Sequence, residues 1–322
     1  MSERRIPVLN WIEVTPPQPG KNYGRNLDTQ ITQIEDSHFA PGTIVELTCR
    51  PPKSTTNYNP HAKVLSMLEA SKAILSIGLE PRIHVAARMF PPDLAKDLIE
   101  ETSKLGINRV FLIAGDGKTP YSPDLTDSLE LARLTLEVNP KIGIGFAAYP
   151  GLRHPFLSRQ QLWDSMVEKT RLKQTHDVDI TFHTQFDPSA KRNMQLAQVL
   201  ERLDNCPLRI GLLGPTNFST LIKVAEFAGF SPWELVKDKP DLVAGVLLSA
   251  VQQRLPIGSS ITLPDWLNYR PDGLVKSVND SKEQHGNISG FYIYSMNNFP
   301  GTKKLLDRLN PAPQPYTPII LG

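Results

Sequence analysis

Short apolar runs rich in Val and Ile recur along the chain, and longer stretches with helical spacing separate them. The strand-like runs are residues 8–14, 43–48, 82–87, 109–114, 142–147, 179–184, 208–213 and 289–295. Between them, "PDLAKDLIEETSKLG" puts Leu94, Leu98 and Leu105 on one face, and Gly106 has the place of a helix-ending residue. "SPDLTDSLELARLTLEV" opens on Ser122-Pro123-Asp124, a helix-start signal, and spaces Leu125, Leu129, Leu131 and Leu134 helically. Residues 160–174, 190–204 and 217–229 continue the alternation, and residues 232–256 suggest an extra helix or two. Long polar loops are expected at 18–30 and 256–288.

Eight strand–helix units imply a parallel sheet with crossover helices, and eight favours a closed (β/α)8 barrel, the TIM barrel, over an open sheet. Residues 1–322 are expected to form one barrel domain, with a helical insertion at about 232–288 before the last strand. No internal repeat or low-complexity linker interrupts the pattern.

Composition narrows the class. At 322 residues with 40% hydrophobic content, one large core is affordable. The net charge of +2 comes from 35 basic and 33 acidic residues with no long basic run, so neither a nucleic-acid nor a membrane-surface footprint is expected. Cys49 and Cys206 stand far apart without a CxxC pair, which argues against a disulfide scaffold or a cysteine zinc site. There is no signal-peptide pattern and no 18-residue apolar span, so the expected location is the cytoplasm.

In such a barrel the chemistry gathers where strands end. Read in order, the strand ends carry Glu13; Glu46 and Thr48; His84 and Arg88; Asp116; Tyr149 and His154; His183, Gln185 and Asp187; and Tyr294 and Asn297. Taken singly, a strand-end acid usually caps a helix, and His84 and His183 read first as satisfied core histidines. "GDGKT" lacks the P-loop spacing. A metal site from His84, Asp116, His154 and His183 has no close-spaced ligand pair behind it, and none is expected. Polar groups at nearly every strand end exceed what stability requires.

Those strand ends resemble the methylenetetrahydrofolate reductases, themselves (β/α)8 barrels, over roughly residues 8–310. "IEVTPP" resembles the family's E-x-x-P-P and matches Glu13 to its catalytic glutamate. "VELTCRPP" looks like a decoy for the same motif and fits better as the second strand, ending in Thr48. "RIHVAAR" matches His84, "FLIAGD" matches Asp116 to the active-site aspartate, and "YSPDL" matches Tyr121. "AAYPGLRHP" matches Tyr149 and His154, and "TQFD" matches Gln185. Lys173 sits near the family's flavin-contacting lysine, and "YIYSMNN" resembles the last strand, with Tyr294 and Asn297.

The resemblance implies an oxidoreductase of one-carbon metabolism and methionine biosynthesis that reduces 5,10-methylenetetrahydrofolate with NAD(P)H. Glu13 and Asp116 would be catalytic, while Gln185, Thr48, Tyr294 and Asn297 would hold the folate. His84, Tyr121, Tyr149, His154, Lys173 and the Ala114 position would line the cofactor groove. Two departures bear on FAD: Ala114 stands where the family has a flavin-contacting arginine, and Thr175-His176-Asp177 replaces an Ala-Gly-Ala phosphate stretch. Some members of the superfamily work without flavin. The expected partner is a tetrahydrofolate-type small molecule, with homo-oligomerisation left open. The alternative is a tetrahydrofolate-dependent methyltransferase or demethylase using the same pocket, and a further one is a non-catalytic ligand-binding relative.

Overall fold

The computed structural model describes residues 11–50, 58–115, 124–154, 156–216, 218–230, 271–281 and 285–309. Eight parallel strands close in sequence order into a barrel. They are β1 (Trp11–Val14), β2 (Ile44–Leu47), β3 (Glu80–Ala86), β4 (Arg109–Ile113), β5 (Gly143–Ala148), β6 (Ile180–Thr184), β7 (Leu208–Leu213) and β8 (Ile288–Tyr294). Closure is made by β1 on β8, with Glu13 opposite Tyr294. All eight expected strands are therefore present.

The expected apolar runs resolve into an alternation. Ile12, Val45, Ile83, Val85, Val110, Leu112, Ile144, Phe182, Ile210 and Ile293 face outward into one buried cluster with the helices. Burying each such side chain contributes about 1.5–3 kcal/mol. Their neighbours face inward and are largely polar or aromatic: Glu13, Glu46, Arg82, His84, Phe111, His183, Arg209 and Tyr292, in register across the ladder. Glycines make room for the large ones. A Cβ on Gly145 would meet Phe111 Cδ2 at 2.6 Å, and one on Gly211 would meet Tyr294 Cε2 at 2.7 Å.

The described helices are α1 (Tyr23–Asp36), α2 (Pro60–Ser76), α3 (Pro92–Lys104), α4 (Ser128–Val138), α5 (Arg159–His176), α6 (Ala190–Asp204), α7 (Phe218–Phe227), α8 (Asp272–Ser281) and α9 (Phe299–Leu309). Ser158 and Gln161 form a reciprocal capping box on α5. Gly106 follows α3 at φ 79°, the left-handed turn only glycine adopts freely. Helix α8 is an additional helix between α7 and β8; the extra helix or two expected at 232–256 lies outside the described residues.

Three expectations are corrected. Most of the loop at 18–30 is helix α1, where Leu27, Ile31 and Ile34 pack on the core among polar neighbours and Tyr23 Oη donates to Ser66 O at 2.6 Å. Part of the loop at 256–288 is α8. Helix α4 starts at Ser128 rather than near Ser122, because the Asp127 carboxylate accepts from Leu129 N and Glu130 N at 2.7 and 2.9 Å.

Gly211→Ala is expected to lose about 1–3 kcal/mol, as overpacking does, because its Cβ would also stand 2.6 Å from Thr184 O. Gly24→Ala, on open surface of α1, is expected to gain about 0.4–1 kcal/mol. Urea unfolding midpoints check both.

Candidate active site

Glu13 sits at the C-terminal mouth, where β1 leaves the barrel. The Tyr292 hydroxyl donates to Glu13 Oε2 at 2.6 Å. The Tyr292 and Tyr294 rings meet at 4.6 Å, and Tyr294 Oη donates to Thr184 O at 2.8 Å with Gln185 Oε1 at 3.4 Å. One contiguous set thus runs Glu13–Tyr292–Tyr294–Gln185. The Ser295 hydroxyl donates to the Glu13 carbonyl and fixes its backbone. Burial raises the Glu13 pKa above the usual carboxylate value; His84, the Tyr292 bond and Arg50 pull it back only in part. Burial and the neighbouring Glu13 likewise keep the Tyr292 phenol neutral.

Glu46 lies deeper, 1% exposed, its carboxylate between two imidazoles. His84 Nε2 is 3.0 Å from Glu46 Oε2, close enough for a hydrogen bond. His183 Nδ1 is 3.5 Å from Oε1, a through-space contact: both His183 ring nitrogens lack a hydrogen-bond partner. Burial by itself would lift the Glu46 pKa, but His183 and His84 outweigh it and hold the carboxyl well below the carboxylate range. Burial lowers the His183 pKa, against the opposing pull of Glu46. Glu46 in turn steadies the cations of Arg82, Arg109 and Arg209. Two inward glutamates on adjacent strands, in register with each other, are thereby pushed apart in acidity.

The other expected site residues divide. Thr48 Oγ1 donates to Thr15 Oγ1 at 3.1 Å and lines the β2 exit. The Asn297 amide is committed to Thr15, accepting from its N at 3.1 Å and donating to its O at 3.2 Å. It clamps the β8–β1 seam. Tyr149 and His154 meet edge-on at 5.0 Å beside the β5 exit, and Tyr149 lines a cleft of about 220 Å³ with Leu152, Trp163 and Met166. Burial lowers the His154 pKa.

Several cofactor expectations are corrected. His84 is turned inward onto Glu46 and Phe111, not toward a groove. Lys173 lies in the last turn of α5, its Nζ donating to Asp204 O at 3.0 Å, where α6 ends just before β7 begins. That is the end of the barrel opposite Glu13, and residues 175–177 follow it there. Ala114 follows β4 with a methyl group, its carbonyl accepting from Arg88 N at 3.0 Å. The described residues thus do not fit a flavin in the family's manner: the lysine and the phosphate stretch are at the wrong end, and the arginine is absent. Asp116 and Tyr121 lie outside the described residues.

Tyr292, Ser295 and Thr15 were not singled out from the sequence. Strand periodicity could have found Tyr292, which shares a face with Tyr294 two residues on. Glu46, taken for a decoy, is the deepest acid of the site. Among the described residues, no group of three or more His, Cys, Asp or Glu could hold a metal ion. No helix there is long and apolar enough to cross a membrane.

No family model matches the chain. Among solved structures it is similar to an oxaloacetate acetylhydrolase (14% identity, covering 86% of this chain and 92% of that one, TM-score 0.42). It is also similar to a Xanthomonas albilineans dihydropteroate synthase (11%, 94% and 94%, 0.44) and a Pseudoalteromonas aurantia GH18 chitinase (10%, 93% and 99%, 0.47). At such values these likenesses carry no functional argument.

Glu46→Gln is expected to cost about 3–5 kcal/mol near neutral pH, the loss seen when one partner of a buried charged pair is removed. Because the folded pKa of Glu46 is depressed, its contribution is present above the unfolded value of 4.5 and is lost as pH falls below it. Urea midpoints against pH should therefore fall less steeply on the acid side in the variant. Identical acid slopes in the two proteins would contradict the assignment.

Proposed function

We propose that the chain is an enzyme working at the C-terminal mouth, with Glu13 as general acid in the NAD(P)H-dependent reduction of 5,10-methylenetetrahydrofolate to 5-methyltetrahydrofolate. The observation that carries the reading is the Glu13 carboxyl, held by Tyr292 and kept protonated to higher pH by burial. The folate comes from the resemblance of the strand ends, and with it the role of Asp116.

The chemistry asks for what Glu13 offers. A proton on N10 breaks the bond between N10 and the one-carbon unit, leaving an N5 iminium. A hydride on that carbon then gives the N5-methyl group. A positioned acid typically contributes about 10²–10⁴-fold to such a step, and works best with a pKa close to the operating pH. The proton goes from Glu13 to N10 and is replaced from solvent at the mouth. NAD(P)H is the co-substrate that supplies the hydride; with the flavin residues absent or misplaced, no step passes through FAD. Gln185, half-buried beside Tyr294, has an amide able to give and take hydrogen bonds and so orient a pterin edge. Tyr292 tunes the acid, since its hydroxyl stabilises the Glu13 carboxylate.

Wild-type protein is expected to oxidise NADH or NADPH only when methylenetetrahydrofolate is present, forming methyltetrahydrofolate. Glu13→Gln should fold, bind folate and lose at least ~10²-fold in turnover. Full activity in that variant, or no methyltetrahydrofolate from the wild type with either nucleotide, overturns the reading. Tyr292→Phe removes a bond that lowers the Glu13 pKa, so the limb of the kcat profile that falls with rising pH should move to higher pH. A shift to lower pH would speak against Tyr292 as the tuning group.

A further inference from the structure

At the opposite, N-terminal end of the barrel the interior is lined by cations. Arg82 from β3, Arg109 from β4 and Arg209 from β7 face inward around Trp11 of β1. The guanidiniums of Arg82 and Arg209 lie over the indole, 4.0 and 3.7 Å from its centroid. Arg109 is satisfied: it pairs with Asp179 and donates to Thr181 Oγ1 at 2.9 Å. The other two are not. Arg82 Nη1, Arg209 Nε and Arg209 Nη1 are buried with no hydrogen-bond partner, and so is Trp11 Nε1.

All four orphaned atoms are donors. Buried polar groups are nearly always paired, and no described acceptor meets these four. The acids nearby are committed or remote: Glu46 faces His84 and His183, Asp179 is taken by Arg109, and Glu80 is exposed. Burial, with repulsion from neighbouring guanidiniums, lowers the pKa of Arg82 to about 10 and of Arg209 to about 9 in spite of the attraction of Glu46. Both side chains remain half-buried rather than sealed, and Gly290, in register with Arg209, leaves that wall without a side chain.

We propose that this mouth binds a small multivalent oxyanion, a phosphate or a dicarboxylate, on Arg82, Arg209 and the Trp11 indole N–H. Planar guanidinium forks match the paired oxygens of either group. The site is separate from Glu13 and independent of the reaction proposed there.

The test uses the full chain at constant ionic strength. Added protein should broaden the phosphorus NMR line of inorganic phosphate saturably; reversal by malonate, with chloride inert, shows one site open to both anions, whereas no reversal restricts it to phosphate. Arg209→Met and Arg82→Met should each weaken phosphate binding at least ~10-fold, the scale of a lost charge-assisted contact, while Lys191→Met on the exposed face of α6 should not. A second measurement needs no variant: phosphate should slow phenylglyoxal modification of Arg82 and Arg209 in the wild type, as mapped by peptide mass. Absence of a saturable effect, unchanged affinity in both arginine variants, or equal modification of Arg82 and Arg209 with and without phosphate overturns the proposal.

Discussion

A carboxylate inside a barrel is the constraint on which the rest of this structure depends. Glu46 is fully enclosed by the sheet, where a lone charge would be too costly to keep. It is kept because His84 and His183 stand against its two oxygens. The two imidazoles that satisfy Glu46 have to face inward, and they share the interior with guanidinium and phenol instead of stacked aliphatic layers. The hydrophobic work moves outward to the sheet–helix interface, where the strands bury Val, Ile, Leu and Phe. Glycines at 145 and 211 follow from the same demand, since Phe111 and Tyr294 need the space their side chains would take.

The polar interior separates the acidities of two neighbouring glutamates. Glu46 is held ionised by its two histidines, whereas Glu13, higher in the barrel, has chiefly burial and one phenol. Two carboxyl groups with environments pushing in opposite directions is how one site can hold a fixed charge and a transferable proton together. In the proposed reaction the transferable proton is that of Glu13, at the end of the barrel where strand-exit loops can bring a substrate.

How far this could be read from the sequence depended on whether the signal was local. The eight strands were legible because each is a compact, apolar-rich run, and α6 and the turn at Gly106 were legible from apolar spacing and a single glycine. Helix α1 was not: its apolar residues Leu27, Ile31 and Ile34 are diluted by polar neighbours, and only packing on the core makes them a face. Glu13 and Gln185 were singled out by motif and the structure joins them through Tyr292 and Tyr294, but Tyr292, the first residue of "YIYSMNN", was passed over there in favour of Tyr294 and Asn297. Glu46 was passed over because its two histidines come from strands 38 and 137 residues on (84 − 46 and 183 − 46), a pairing only closure of the barrel creates. Lys173 was misplaced by proximity in sequence: a helix of 18 residues carries its last turn to the far end of the barrel.

The split between the two glutamates is tested most directly by a carbon NMR titration of the glutamate carboxyl carbons, with Glu13→Gln and Glu46→Gln used for assignment. Glu46 should remain ionised below the ordinary glutamate range while Glu13 takes up its proton above it. Both carboxyls titrating together in the ordinary range, or Glu46 titrating above Glu13, would contradict it.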